Sequence, residues 1–397
     1  MKLLTVEDAR SRMLSGLTAL APETISLGDG LGRVLAEDIS ATRTQPPFAA
    51  SSMDGWAVRS ADGAGARRII GESAAGHGFS GVLDAGEAVR IFTGAAVPDG
   101  ADTVVIQEDA RREGGCVVVG AQTPGTNIRL AGKDFAAGTI LLRAGMGLDP
   151  WRLALAAAAG RARITVTRRP LVTILSTGDE VVAPGGSPGP LQIYDSGATA
   201  LAALATQWGA IAGALIQAPD DEISIAAAVA SSGGDLVVTL GGASVGDHDL
   251  VKPALGRLGL RLAVESVAIK PGKPTWFGRL GDGRPVLGLP GNPASALVCA
   301  ELFLRPLLRA FQGANPAPRL SAARLDAPLK ANGEREHWMR ARLSGDQSGT
   351  LGVAPLSDQD SSLVTVFAEA DALLRRPAGA GAAAAGDVVE ILRLDRF

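Results

Sequence analysis

Apolar positions recur along the chain with two different spacings, and the change of spacing divides it into regions. Residues 5–20 carry apolar side chains at three- and four-residue intervals, which predicts an amphipathic helix. Short apolar runs broken by Gly and Asp fill residues 44–136, a texture typical of strands joined by tight turns. A second helix is predicted in "WRLALAAAAG", because Asp149 and Pro150 form a helix start.

Strand and helix patterns then alternate. The predicted order is strand 171–176, helix 197–208, strand 211–216, helix 221–231, strand 235–240, a strand near 262–269, strand 285–289 and helix 294–311. This alternation predicts a doubly wound, mostly parallel sheet with helices on both faces. The uncharged stretch from Ser196 to Pro219 is interpreted as a buried helix followed by a strand, not as a membrane span.

Two breaks bound the alternating segment. Arg168-Arg169-Pro170 interrupts the pattern before it, and a loop rich in Pro and Ala at 313–319 follows it. Short strands are predicted from there to the end of the chain. With 397 residues, the length itself suggests about two to four domains.

Composition excludes some classes of function. The net charge is −3 and no long basic run is present, which argues against binding to a nucleic-acid backbone. Cys116 and Cys299 lie far apart and have no zinc-ligand spacing, so neither a disulfide framework nor a zinc site is expected. The N-terminus lacks the apolar run of a signal peptide. A cytoplasmic location is therefore expected.

Four loops follow predicted strands. They are Thr177-Gly178-Asp179-Glu180, the segment from Gly241 to Asp249, Lys270-Pro271-Gly272-Lys273-Pro274, and Pro290-Gly291-Asn292-Pro293. In a parallel sheet the carboxyl ends of the strands share one edge, where ligands bind. One such loop is no more than an ordinary turn, but four together predict a crevice that carries both signs of charge.

That mixture of charges suggests an anionic ligand handled together with a divalent cation. Asp179, Glu180 and Asp249 could hold Mg²⁺, which prefers carboxylates, water and phosphate. Lys270 and Lys273 could hold an oxyanion, and the prolines beside them limit the ordering entropy lost on binding.

Ser244 admits two hypotheses. The segment from Gly242 to Gly246 matches the G-x-S-x-G nucleophile elbow of α/β-hydrolases, and it also suits a turn that binds phosphate on backbone N–H groups. A hydrolase needs a histidine later in the chain. His248 lies in the same loop and His337 lies outside the sheet segment. The phosphate turn is therefore preferred, and a Ser-dependent hydrolase remains an alternative.

Several motifs together resemble the MoeA family of molybdopterin molybdenumtransferases, which is related to the E-domain of gephyrin. In the centre these are "STGDE", "IYDSG", "GGASVGDHD", "IKPGKPTWFG" and "GLPGNPASA". The N-terminal half contributes "SSMDGWAVR", "IFTGAAVP", "DTVVIQED" and "NIRLAGKDF", and the tail contributes "HWMRARL". Trp56 departs from the family pattern, in which tyrosine is usual.

The resemblance implies a multidomain α/β plus β fold in an elongated homodimer. Its implied parts are an N-terminal helical and β region (1–46 with 135–168), an inserted β-rich domain (47–134), a molybdopterin-binding-like α/β domain (169–312) and a C-terminal β-barrel (313–397). The implied reaction inserts molybdate into adenylylated molybdopterin and releases AMP with Mg²⁺. The upstream molybdopterin adenylyltransferase is an implied partner.

Residue roles follow by the same resemblance. Asp179, Glu180 and Asp249 resemble the acids that serve the pyrophosphate and the metal, and Asp54 joins them from the inserted domain of the other subunit. The implied nucleotide and pterin contacts are Thr93, Gly94, Asp195, Ser196, Gly241, Gly242, Ser244, Gly246, Pro290, Gly291, Asn292 and Pro293. The implied molybdate contacts are Lys270, Lys273, Ser295, Arg340 and Ser361.

Two further functions remain open at this stage. A molybdopterin adenylyltransferase shares the central α/β domain, but it resembles that domain in isolation. A non-enzymatic scaffold is known among animal relatives of the family, but acids and lysines in the crevice make it secondary. Neither a nucleic acid nor a membrane is an expected partner.

Overall fold

The computed structural model describes residues 3–242, 250–345 and 351–395. Its helices are Val6–Leu14, Pro150–Ala158, Ser196–Gln207, Glu222–Ser231, Val251–Gly256, Pro293–Cys299, Arg305–Phe311 and Val364–Glu369. A π-helical turn, Ala300–Leu304, joins Pro293–Cys299 to Arg305–Phe311, so the predicted helix 294–311 is continuous. None of the helices in these ranges is long and apolar enough to cross a membrane.

The first helix begins as predicted but ends early. Thr5 caps it, with its hydroxyl accepting a hydrogen bond from the Asp8 backbone N–H at 3.0 Å. The helix buries Val6 and Met13 against the central core and ends at Leu14. The prediction of a helix to residue 20 is wrong, because Gly16 adopts the left-handed conformation (φ 71°) that stops helices.

Chain segments on either side of the β-rich region pair with each other. Pro22–Ser26 pairs antiparallel with Arg163–Thr167, and Ile39–Ser40 pairs with Ile140–Leu142. The helix Pro150–Ala158 packs on this small region. The intervening chain therefore leaves this region and returns to it.

A six-stranded sheet forms between those segments. Its spatial order is Thr103–Ile106, Gly55–Val58, Glu87–Ile91, Gly65–Ser73, Cys116–Val119 and Ala110–Glu113. A short pair, Ala50–Ser51 with Ile128–Arg129, lies beside it. Two apolar clusters contribute to this region, one around Trp56 and one around Leu83.

The central sheet has the predicted alternation and a mixed strand direction. Its order is Ile211–Ala218, Leu171–Thr177, Leu236–Leu240, Pro285–Leu289, Trp276–Arg279 and Arg261–Val264. The first four strands are parallel and the last two are antiparallel additions. Helices cover both faces, which explains why Leu236–Leu240 and Pro285–Leu289 are buried at every position.

The strand predicted near 262–269 is two separate strands. Arg261–Val264 lies at the antiparallel edge of the central sheet, whereas Ile269–Lys270 pairs in parallel with Glu336 and His337 of the C-terminal region. The lysine loop therefore does not follow a parallel strand of the central sheet, and that part of the prediction is wrong. Periodicity missed the break because apolar residues, among them Val264, Val267 and Ile269, stand on both sides of the two polar residues Glu265-Ser266, so the segment resembles one strand.

The C-terminal region closes into a five-stranded barrel. Its strands are Leu320–Leu325, Glu336–Gly345, Leu351–Pro355, Ala372–Arg376 and Val388–Arg393. Closure comes from the antiparallel pairing of Glu336–Gly345 with both Leu351–Pro355 and Ala372–Arg376. A closed barrel leaves no free edge among these strands. Trp338 packs outward into the core of the central domain.

Candidate active site

A cavity of about 1320 Å³ opens at the carboxyl ends of the parallel strands. The predicted site residues that line it are Glu180, Asp195, Ser196, Gly241, Gly242, Lys273, Pro290, Gly291, Asn292 and Pro293. Those that do not line it are Asp54, Thr93, Gly94, Asp179, Lys270, Ser295, Arg340 and Ser361. Ser244, Gly246 and Asp249 lie outside the described residues.

The acidic loop turns sharply after the strand Leu171–Thr177. Gly178 has φ 134°, and a Cβ there would lie 2.5 Å from Glu180 Oε2, so glycine lets the Glu180 carboxylate fold back over the turn. Glu180 lines the cavity, whereas Asp179 Oδ1 accepts a hydrogen bond from the Asp220 backbone N–H at 3.4 Å. The two neighbouring acids therefore point in different directions.

Asp220 is a cavity residue that the motif analysis missed. It follows the parallel strand Ile211–Ala218, so its loop ends at the same edge as the other three. The sequence indicates such a residue, because the acidic segment "APDDE" follows the predicted strand 211–216. The next residue, Asp221, is instead the cap of the following helix, because Oδ2 accepts from the Ser224 backbone N–H at 2.8 Å.

Asp195 begins the helix Ser196–Gln207. Its Oδ1 accepts from the Ala198 backbone N–H at 2.8 Å, which holds the first turn of the helix against the cavity. Gly197 also lines the cavity, and a Cβ there would lie 2.4 Å from Leu240 Cδ2. Close packing of the helix on the strand Leu236–Leu240 therefore fixes where Ser196 lies.

The glycine turn after Leu236–Leu240 is sterically restricted. Gly241 and Gly242 have φ values of 92° and 59°, a region that other residues rarely adopt. A Cβ on Gly241 would lie 2.8 Å from the Thr177 carbonyl oxygen, and one on Gly242 would lie 2.2 Å from Val251 Cγ2. The backbone therefore approaches the acidic loop closely, and any ligand placed there meets main-chain atoms.

The proline-rich turn, residues 290–293, is hydrogen-bonded to the C-terminal region. Asn292 Nδ2 donates to Ser361 Oγ at 3.0 Å, and the Ala294 backbone N–H donates to the Ser361 carbonyl at 3.1 Å. Ser295 follows in the helix and is buried. Ser361 thus contacts the turn that lines the cavity, although it does not line the cavity itself.

The lysine loop packs against the helix that follows the proline-rich turn. Gly272 has φ 112°, and a Cβ there would lie 2.2 Å from Cys299 Sγ, so only glycine allows the lysine loop to pack so closely on Pro293–Cys299. Lys273 then lines the cavity. Within the described chain, neither Lys273 nor Lys270 makes a side-chain hydrogen bond or ion pair.

Arg340 is fully buried and only partly satisfied. Its Nη2 donates to the Asp360 carbonyl at 2.8 Å, but Nε and Nη1 have no partner among the residues the structure describes. Burial lowers the pKa of this guanidinium, and the charges of Asp358 and Asp360 oppose that shift. Unpaired buried N–H groups are costly, so these two donors lack a partner that the described residues do not supply.

Asp54 and Thr93 form their own pair on the β-rich domain. Asp54 Oδ1 accepts from the Thr93 backbone N–H at 2.7 Å and from its hydroxyl at 2.8 Å. The backbone hydrogen bond is the main cause of the lowered pKa of Asp54. Gly94 follows with φ 82°. In its own chain this pair contributes nothing to the cavity wall.

A metal site is not preassembled in the described chain. No group of three or more His, Cys, Asp or Glu residues in residues 3–242, 250–345 and 351–395 is arranged to hold a metal ion. Glu180 and Asp220 both line the cavity. Mg²⁺ commonly uses only one or two carboxylates and takes its other ligands from water and substrate phosphates. The donors present therefore fit a magnesium ion that arrives with a phosphate ligand.

Family models match most of the chain. Residues 4–160 match the MoeA N-terminal region (domain I and II), residues 173–310 match the probable molybdopterin binding domain, and residues 322–394 match the MoeA C-terminal region (domain IV). The fold and site therefore define a molybdopterin-binding protein of MoeA architecture.

Relatives give the particular family. The chain is 35% identical to a molybdopterin molybdenumtransferase of Haemophilus influenzae, over 98% of both chains. It is also 35% identical to molybdopterin molybdenumtransferase 2 of Mycobacterium tuberculosis, again over 98% of both. A crystal structure of the molybdopterin biosynthesis MoeA protein of Pyrococcus horikoshii superposes with a TM-score of 0.83, 32% identity and full coverage of both chains. The chain belongs to the MoeA family of molybdopterin molybdenumtransferases.

We expect the protonation of His337 to destabilise the fold as the pH falls from 7 to 5. Burial lowers the pKa of His337 to about 4, with Lys270 and Arg340 adding to the effect. The unfolded chain, with a histidine pKa of about 6.5, therefore takes up the proton first. The His337 contribution to the free energy of unfolding should fall by about 1–2 kcal/mol over this window. Urea unfolding at both pH values should show a smaller loss for His337→Asn than for wild type.

Glu301 provides a control of opposite sign. Burial raises the pKa of this carboxyl to about 7, so the folded chain takes up the proton first and gains stability as the pH falls. Glu301→Gln should therefore lose more stability than wild type between pH 7 and pH 5. The same pH dependence in both variants would contradict the two assignments.

Proposed function

We propose that this protein transfers molybdenum to molybdopterin in molybdenum cofactor biosynthesis. The observation that carries the proposal is the cavity, which gathers four loops at one edge of the central sheet together with Lys273. Its relatives, named molybdopterin molybdenumtransferase, match over nearly the full length of the chain. The reaction is thus a transferase reaction on a molybdopterin-related substrate.

In the finer form of the proposal, the substrates are adenylylated molybdopterin and molybdate. Water cleaves the pyrophosphate bond, and AMP leaves. The glycine turn at Gly241 and Gly242 suits the phosphate groups, because close backbone N–H groups and little side-chain bulk favour anions. Asp195 and Ser196 contact the nucleotide and the pterin from the first turn of their helix. For Ser244, which lies outside the described residues, the proposed role is that of a phosphate-turn residue and not of a nucleophile, on the sequence argument alone.

Mg²⁺ is the proposed cofactor. Glu180, Asp179 and Asp249 are its proposed carboxylate ligands. Of these, Glu180 lines the cavity, Asp179 does not, and Asp249 lies outside the described residues. When bound, the ion supplies charge neutralisation at phosphate oxygens. The side chain of Glu180 is held over Gly178 at the edge of the cavity, so it is positioned before substrate arrives.

Molybdate is proposed to bind where the lysine loop meets the barrel. Lys273 lines the cavity, and Arg340, with two N–H groups unpaired in the described chain, lies on the barrel strand that pairs with Ile269–Lys270. A guanidinium offers a planar fork of donors that suits tetrahedral oxyanions. Ser295, Ser361 and Lys270 complete the proposed set.

The active site is proposed to be shared in a homodimer. Asp54, Thr93 and Gly94 do not line the cavity of their own chain, although the family resemblance gives them a role there. A second subunit would explain how they reach an active site, because its β-rich domain could place its own Asp54, Thr93 and Gly94 at the cavity of this chain. The upstream molybdopterin adenylyltransferase is the proposed donor of substrate, and both enzymes would act in the cytoplasm.

The alternatives have less support. An adenylyltransferase or a scaffold does not require the N-terminal and barrel regions around an intact cavity, and the relatives named as transferases match those regions too. A Ser-dependent hydrolase needs a histidine beside Ser244. His337 is buried next to Lys270 in the barrel sheet and does not line the cavity.

Glu180→Ala should nearly abolish AMP release, because the cavity loses its main carboxylate for the metal and pyrophosphate. AMP formed from adenylylated molybdopterin, molybdate and Mg²⁺ is the measurement. Asp249→Ala tests the second proposed ligand in the same assay. Glu37→Ala is the matched control, since Glu37 is exposed and lies outside the cavity wall. Near-normal turnover of Glu180→Ala would remove this acid from the mechanism.

Mixing two inactive variants tests the shared site. Asp54→Ala and Glu180→Ala homodimers should both be inactive, because each lacks one component at both sites. Heterodimers place both substitutions at one site and leave the other intact, so half of the sites in a heterodimer should work. Differently tagged chains allow heterodimers to be purified and assayed for AMP release. Inactive heterodimers would contradict the shared geometry.

Lys273→Ala should raise the molybdate concentration needed for insertion by about ten- to a hundredfold, the usual effect of one charged hydrogen bond. Arg340→Ala should act in the same direction. Affinity for AMP should change much less in both variants. Unchanged molybdate dependence with weakened AMP binding would move these side chains to the phosphate subsite.

A further inference from the structure

The cavity extends beyond the four loops to a wall that no role above explains. Leu3, Leu262, Glu265 and Ser266 line this wall. Leu262 is 40% exposed and lines the cavity, so its apolar side chain is accessible to a ligand there. We call these four residues the 265 wall. It combines apolar surface with one carboxylate.

The 265 wall is held rigidly beside the lysine loop. The Val267 backbone N–H donates to the Lys273 carbonyl at 3.0 Å, and the Ala268 N–H donates to the Leu4 carbonyl at 2.7 Å. Val264 and Val267 are fully buried behind it. Glu265 is two residues from Val267, which is at most about 7 Å along the chain. Glu265 and Lys273 therefore line the same cavity from connected segments of the backbone.

Glu265 is an exposed acid that makes no ion pair within the described part of the chain. Its carboxylate makes no hydrogen bond or ion pair with any residue in 3–242, 250–345 or 351–395, although it faces a cavity that also contains Lys273. An ionised carboxylate only accepts hydrogen bonds, and it pairs best with two donors side by side. The ligand edge that fits it is thus a pair of adjacent N–H groups.

Only one end of the proposed substrate has such an edge. The pyrimidine ring of a pterin presents a ring N–H beside an amino group, whereas the adenine edge alternates a donor with an acceptor. In molybdopterin the dithiolene lies at the opposite end of the fused rings from that N–H and amino pair. A metal at Lys273 therefore places the pterin edge one ring system away, along the cavity wall.

We propose that Glu265 binds the N–H and amino edge of the pterin ring and selects pterins over other flat heterocycles. Leu3 and Leu262 cover the ring faces with apolar surface. This inference rests on the proposed function, because the pterin is part of the proposed substrate. It adds Glu265, which lies outside the quoted motifs, to the pterin contacts proposed for Asp195 and Ser196.

A change of ligand edge gives the sharpest test. Lumazine is a pterin in which the amino group is replaced by a carbonyl, so its edge has one donor and one acceptor. Wild-type protein should bind pterin about tenfold more tightly than lumazine, because one charged hydrogen bond is lost. The amide of Glu265→Gln offers one acceptor and one donor, so the variant should prefer lumazine. Ligand fluorescence during titration measures both affinities.

Controls separate this inference from the proposed function. Glu334→Gln changes an exposed acid outside the cavity and should keep the wild-type preference for pterin. AMP should bind equally well to wild type and Glu265→Gln, since adenine does not reach the 265 wall. An unchanged pterin preference in Glu265→Gln would overturn the subsite assignment even if AMP release is normal. If wild-type protein released no AMP but still discriminated pterin from lumazine through Glu265, that result would instead contradict the proposed function alone.

Discussion

The short pairing of Ile269–Lys270 with Glu336 and His337 joins the central domain to the barrel, and the cavity depends on it. It places the lysine loop between the parallel sheet and the barrel strand that carries Arg340. Gly272 completes the junction, because any side chain there would collide with Cys299. Lys273 and the proline-rich turn both belong to the central domain, because they flank the paired strands Trp276–Arg279 and Pro285–Leu289. The junction instead fixes the barrel strand that carries Arg340 relative to them.

The positive charge of the proposed site comes from side chains at or beside that junction. Arg340 is buried with two unpaired N–H groups, and Lys273 faces the cavity without a partner in the described chain. Burial and the nearby cations also lower the pKa of His337 to about 4, so this histidine adds no positive charge at neutral pH. The acids Glu180 and Glu265 lie on other parts of the wall. The subsites proposed for a metal-bound phosphate, an oxyanion and a donor-rich ring therefore involve different parts of the cavity wall.

Much of the site was predictable because its residues follow strands. Apolar runs identified Leu171–Thr177, Leu236–Leu240 and Pro285–Leu289, and the carboxyl ends of parallel strands must meet at one edge. The lysine loop was assigned to the right crevice for the wrong reason, since its strand belongs to the barrel sheet. Asp220 was not predicted as a site residue, because its loop carries no motif, although the strand before it was predicted.

By itself, the sequence determined the local structure and the chemistry on offer. Residues that are neighbours in the chain determine the strand and helix periods, the glycines with positive φ and the loop residues. These features can therefore be predicted from the sequence pattern. Only the tertiary structure decided partners that lie far apart in the chain. It buried Arg340, linked Asn292 to Ser361 and left Glu265 open in the cavity. Such contacts depend on which surfaces pack together, and an apolar run is compatible with many partners.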